Sequence, residues 1–189
     1  MMFAGIRLRL KSYLFRIRHL RGADIGSRCV FDGTVIIRGP EHIAFGDGCA
    51  FGPRCRIEAW DSRPGTDEDF NPMIVFGKNV SITASCHIGA INSVEIGDNA
   101  LIGTGVVIID HGHGRVCAEE VGIPPIDRTL HSKGPVKVGR NVWIGEYAVI
   151  LPGVTVGDEA VIGACSVVTH DVPQRAVVGG NPARVLKVL

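Results

Sequence analysis

No stretch of this sequence approaches the 18 consecutive apolar residues of a membrane-crossing helix, and the N-terminus lacks the uninterrupted apolar run of a signal peptide. Both absences point away from a spanning or secreted protein and toward the cytoplasm. The six cysteines include no Cys-x-x-Cys pair, which fits reduced thiols in that compartment. The 25 glycines lack the three-residue period of collagen, so some other repeat uses them. Acid is absent from the first 22 residues, where Arg7, Arg9, Lys11, Arg16, Arg18 and Arg21 place a charge of +6 and leave −5 on the remainder. An acidic body argues against nucleic-acid binding, while the basic segment calls for an anionic partner such as a membrane surface. Within it Ile6, Leu10, Leu14 and Ile17 recur at helical spacing. Residues 1–22 therefore read as a basic amphipathic helix that either packs on the body or lies on anionic lipid.

What is present is a chain of 189 residues, 46% hydrophobic and 21% charged, enough for one domain with a real core. Branched or aromatic apolar residues recur six apart in six groups of three: Ile25, Phe31, Ile37; Phe45, Phe51, Ile57; Phe76, Ile82, Ile88; Ile96, Ile102, Ile108; Val138, Ile144, Ile150; and Val156, Ile162, Val168. Eleven of these eighteen sites are followed directly by glycine, marking turns that need unusual dihedrals or close approach. Four positions beyond the apolar site comes a small residue, often Val, Ala or Cys, and Cys29, Cys49, Cys55 and Cys86 occupy that slot as buried space-fillers. Neither a helix nor a long strand has a six-residue period. A coil with three flat faces does, so the fold class is an all-β solenoid, a parallel β-helix of about six 18-residue rungs.

Residues 23–175 form this coil and 176–189 a C-terminal tail. Register breaks place its main insertions at 59–72, after the second rung, and 110–135, after the fourth. Both fall after a third hexad, so both leave the prism at one corner, where function concentrates on a rigid scaffold. The longer insertion carries His111, His113 and His131.

Residues 137–186, KVGRNVWIGEYAVILPGVTVGDEAVIGACSVVTHDVPQRAVVGGNPARVL, resemble the hexapeptide-repeat acyltransferases, in the branch of galactoside, maltose and polysaccharide O-acetyltransferases. A looser hexad match reaches back to Ile25. The resemblance implies a left-handed coil and transfer of an acetyl group from acetyl-CoA to a sugar hydroxyl without a metal. It also implies a homotrimer with active sites between subunits. An ungapped match through VVIIDHGHG puts the family's histidine base at His113, with His111 as the rival; imidazole titrates in the range that activating a hydroxyl requires. Asp110 either orients an imidazole or caps the turn.

For the donor, Trp143 matches the family tryptophan in VWIG, and Ala164 a main-chain contact to the pantetheine arm. His170 stands in VVTHD where relatives have lysine near the nucleotide phosphates. Arg184 and Lys187 match basic tail positions that can contact phosphate. The family's acceptor-binding residues have no match here, and His19, His42, His87 and His131 read as surface or ladder residues. A small-molecule acetyltransferase is the alternative within the family. Two others are a zinc γ-type carbonic anhydrase using His87, His111 and His113, and a scaffold without catalysis. The preferred acceptor is a surface polysaccharide or lipopolysaccharide, met at the inner face of the membrane through residues 1–22.

Overall fold

The computed structural model describes residues 12–15 and 19–189. Each of the eighteen apolar sites lies in its own short strand, and these strands stack in parallel into three sheets. On the first face Asp24–Ile25, Ile43–Phe45, Met73–Phe76, Ser93–Ile96, Val136–Val138 and Thr155–Val156 follow one another in chain order. Their inward residues pair in register, Ile25 on Phe45, Phe45 on Phe76, Phe76 on Ile96, Ile96 on Val138 and Val138 on Val156. The repeat is thus the footprint of like side chains stacked along one axis, and each fully buried isoleucine contributes about 1.5–3 kcal/mol. Toward the N-terminal end the stack is aromatic: Phe31 lies parallel to Phe51 at 5.0 Å between ring centroids, and Phe45 to Phe76 at 5.2 Å.

The glycines after the apolar sites serve close approach between rungs. A β-carbon on Gly46 would stand 2.5 Å from the backbone of Gly77, and one on Gly52 would overlap the Thr83 carbonyl. The left-handed turn residues come instead three positions after the apolar site, as at Asn79, Asn99, Asn141, Tyr147 and Cys165, with φ between 56° and 59°. Asparagine tolerates that conformation, and here it also forms a ladder: the Asn79 amide donates to Asn99 at 3.1 Å and that of Asn99 to Asn141 at 3.0 Å. Carboxylates at the same corners accept backbone N–H groups from neighbouring rungs, Asp47 from Ser27, Asp98 from Lys78 and Asp158 from Arg140. Cys29, Cys49, Cys55 and Cys86 are buried inside the coil. Beside Cys29 and buried, the Cys49 thiol is held well above its ordinary pKa, so it fills space as a neutral group.

Residues 12–15 are helical and close the N-terminal end of the coil. Ser12 accepts a hydrogen bond from the Phe31 N–H at 2.9 Å, and the Phe15 ring stacks on Phe31 at 5.7 Å. Of the basic helix expected over 1–22, residues 1–11 and 16–18, with Ile6, Leu10, Ile17 and the cations at 7, 9, 11, 16 and 18, lie outside the described residues, and Arg21 and Gly22 form a turn; no helix among the described residues is long and apolar enough to cross a membrane. At the other end, the segment expected as a tail is a hairpin. Ala176–Gly180 adds to the second sheet beside Val161–Ile162, and Ala183–Val188 turns back antiparallel on it.

Candidate active site

The strands Arg56–Ala59, His87–Ala90 and Val107–Ile109 are neighbours in the third sheet. The chain leaves this sheet for its two long insertions after the first and the last of them, so one corner gathers both. Beyond Ile109 the second insertion forms an antiparallel hairpin of His111–His113 with Leu130–Ser132, in which His111 faces Ser132, Gly112 faces His131 and His113 faces Leu130.

Asp110, the residue that enters this hairpin, is completely buried. Its carboxylate accepts the N–H groups of Ile91 at 3.0 Å and Asn92 at 2.8 Å, which fixes it to the preceding rung. The same carboxylate meets Nδ1 of His111 at 2.9 Å. With the carboxylate as acceptor, the proton of His111 sits on Nδ1 and the lone pair on Nε2. No buried side-chain nitrogen or oxygen lacks a partner among the described residues, so Nε2 of His111, which makes no bond of its own, opens to solvent. His113 projects from the same side of its strand two residues on and is exposed. Asp110 therefore orients an imidazole, and the one it orients is His111.

A second carboxylate and imidazole stand beside the first. Glu58 is buried, and its Oε2 receives the Arg56 guanidinium at 2.7 Å and Nε2 of His87 at 3.1 Å. Burial, and then the nearby Arg56 charge, hold His87 below its usual pKa against the pull of Glu58, so His87 is neutral at neutral pH. The sequence pointed to His87 only as a surface or ladder residue or, in the zinc alternative, as a metal ligand, and it gave Glu58 no role. The available signal was that RIEA and HIGA occupy the same slot of successive rungs with polar residues on the outward positions.

The two insertions lock together. Arg63 of the first donates to the carbonyls of Ile126 and, at 2.6 Å, Arg128 of the second. Glu68 forms an ion pair with Arg63 at 3.4 Å and accepts the Leu130 N–H at 2.9 Å. Because Leu130 is paired with His113, the first insertion braces the histidine hairpin. His131 and Cys117 line a cavity of about 410 Å³ within the second insertion.

Of the residues expected at the donor, His170 and Arg184 come together in a cavity of about 400 Å³ bounded also by Asp171, Val178 and Val185. Trp143, Ala164 and Lys187 lie outside its lining. Trp143 is 55% exposed on the outer face between Leu101 and Val161, Ala164 is exposed in the turn after Val161–Ile162, and Lys187 pairs with Val177 in the terminal hairpin. The one group of three side chains among the described residues whose ligand atoms approach within 4.8 Å of each other is Glu41, His42 and Asp61. His87, His111 and His113 do not form such a group within the chain.

Family models match two segments: bacterial transferase hexapeptide (six repeats) over residues 135–170, and hexapeptide repeat of succinyl-transferase over residues 74–109. The chain is 36% identical over 155 residues to the Escherichia coli protein WbbJ, named for lipopolysaccharide biosynthesis O-acetyl transfer, covering 80% of this chain and 74% of that protein. It is 39% identical over 123 residues to the galactoside O-acetyltransferase of Escherichia coli, covering 62% of this chain and 55% of that enzyme. Among solved structures, a maltose O-acetyltransferase from Clostridium difficile matches all of this chain and 85% of its own at 26% identity with a TM-score of 0.58. The fold also matches an N-acyltransferase from Bacillus cereus, solved with dTDP and 3-hydroxybutyryl-CoA, at 20% identity, a TM-score of 0.71, and coverage of 93% and 86%.

Proposed function

This chain belongs to the hexapeptide-repeat acyltransferases, in the branch of the galactoside and polysaccharide O-acetyltransferases, and from that premise we propose that it acetylates a hydroxyl of a surface polysaccharide or lipopolysaccharide from acetyl-CoA. The observation that carries the chemistry is the buried Asp110 holding His111 by Nδ1 while Nε2 stays open. A sugar hydroxyl is a poor nucleophile until its proton is removed. In the proposed step Nε2 of His111 takes that proton as the oxygen attacks the thioester carbonyl; the new C–O bond forms, the C–S bond breaks, and the imidazolium returns the proton to the departing thiolate. Such a base supplies about 10² to 10⁴ in rate, and it needs no acyl-enzyme. The match to VVIIDHGHG favours His113; the Asp110 contact favours His111, and we assign His111 as the base with His113 beside it on the acceptor side.

The donor reading rests on the cavity shared by His170 and Arg184, with Lys187 on the same terminal hairpin and Trp143 and Ala164 on the preceding rungs. The working unit we propose is a homotrimer of left-handed coils, in which the exposed Val116, Val121 and Ile126 of the second insertion meet a neighbouring subunit and join its donor cavity to His111. Its place would be the cytoplasm, against the inner membrane face, where the six cations of residues 1–22 meet anionic lipid.

Steady-state kinetics test the donor site. Replacing both Arg184 and Lys187 by alanine raises KM for acetyl-CoA more than it lowers kcat, because phosphate contacts are alike in ground and transition states. An unchanged donor KM removes both residues from the site.

A further inference from the structure

Gly89 is unlike most glycines of the repeat. A β-carbon at Gly26, Gly46 or Gly145 would meet neighbouring backbone within 2.6 Å, whereas at Gly89 it would sit at ordinary contact distance, 3.4 Å from Nε2 of His87, 3.4 Å from Ile109 and 3.5 Å from Cε1 of His111. Its backbone is not left-handed either. Neither dihedral nor crowding requires glycine there. What its missing side chain creates is a notch whose walls are two imidazoles, each tied to its own carboxylate.

Glu58 is the register partner of Gly89 on the adjoining strand. Both of its hydrogen bonds, from Arg56 and His87, fall on Oε2, and Oε1 receives none. Since no buried side-chain oxygen goes unpaired among the described residues, Oε1 is reachable from outside. An ionised carboxylate so placed is a strong acceptor for a hydroxyl, and holding it among an arginine and an imidazole fixes its orientation before a ligand arrives.

We infer that Arg56, Glu58 and His87 select the acceptor: Oε1 of Glu58 receives a hydroxyl adjacent to the one that His111 deprotonates, so the notch over Gly89 reads a vicinal diol. This rests on the reading of His111 as the base. Arg56 and His87 are positioning residues that aim Glu58, and Gly89 keeps the space open. Acceptors lacking the second hydroxyl leave Oε1 unpaired when the notch closes, which is how a site built to bond a hydroxyl rejects the deoxy analogue.

The test uses methyl hexopyranosides that carry a vicinal diol, together with their monodeoxy analogues, as acceptors for acetyl transfer, and as ligands in ligand-observed NMR binding without donor. Glu58→Gln and His87→Gln are expected to raise KM for the diol acceptors by about 10-fold or more, with donor KM held. The deoxy analogue should be worse by a similar factor for the wild-type protein and no worse again for Glu58→Gln. Gly89→Ala keeps the melting temperature, because its methyl finds room, yet weakens diol binding. Equal losses on diol and deoxy acceptors, or diol binding unchanged by Gly89→Ala and Glu58→Gln, overturn the inference. If no acceptor is acetylated but NMR shows diol binding that Glu58→Gln abolishes, the recognition stands and the reading of His111 as base falls.

Discussion

Ile102, at the centre of the coil, has no exposed surface, whereas Val116, in the second insertion, is wholly exposed. The contrast extends to how each region is held. Rungs are held by repetition: like residues stack, glycines let backbones close up, and one corner reuses the same asparagine and aspartate contacts from rung to rung. The insertions repeat nothing and are held by a few individual polar contacts, Arg63 on the carbonyls of 126 and 128 and Glu68 on Leu130. A stacked coil supplies rigidity, and freedom from its period lets the corner set the Asp110 and His111 pair beside the Glu58 and His87 pair of the rungs. The proposed chemistry sits where the repeat is interrupted, and the geometry there is inherited from the rungs on either side.

The largest effect that would break this comparison concerns Gly52. Gly52→Ala puts a methyl into the Thr83 carbonyl, costs about 3 kcal/mol or more and lowers the melting temperature by roughly 10 °C. In the insertion, Gly112 has nothing within 4 Å of its β-position and no left-handed backbone, so Gly112→Ala changes stability by no more than about 0.5 kcal/mol. Thermal unfolding of the two variants checks the pair; equal losses would mean that the hairpin is as tightly stacked as the rungs. A smaller effect sharpens the role of the insertions. Glu68→Ala releases the Leu130 N–H opposite His113 and should lower kcat by about 10-fold while the melting temperature drops by only about 5 °C, the cost of one charged hydrogen bond. Glu68→Gln keeps an acceptor there and restores most of the rate. A larger fall in melting temperature, without rescue of kcat by glutamine, would make Glu68 a purely structural brace.

The coil was legible because stacking writes the same residue types into the chain every six positions, as from Phe76 to Ile82 to Ile88. The corner that bears both insertions was legible for the same reason, since a register break is visible only against a register. The reason for the glycines was half visible: close approach is their use, and the left-handed dihedral belongs to Asn79, Asn99 and Asn141. What could not be read were contacts without a period. The pairing of His111–His113 with Leu130–Ser132, the bond from Glu68 to Leu130 and the return of Lys187 onto Val177 join residues whose spacing carries no signal. His111 and His113 were both visible as candidates, but choosing between them depends on which ring a buried carboxylate reaches. Glu58 stayed hidden, and the pairing of His87 with it could not be foreseen, because each alone looks like an ordinary outward residue of a rung.

In the proposed mechanism the imidazole held by Asp110 is the base. Measuring kcat for acetyl transfer by His111→Ala and His113→Ala, with acetyl-CoA saturating and oligomeric state checked by light scattering, tests it most directly. His111→Ala is expected to lose about 10² or more in kcat with assembly and donor affinity intact, while His113→Ala loses far less. Full loss in His113→Ala with His111→Ala still active would contradict it and return the base to the position that the family match gives.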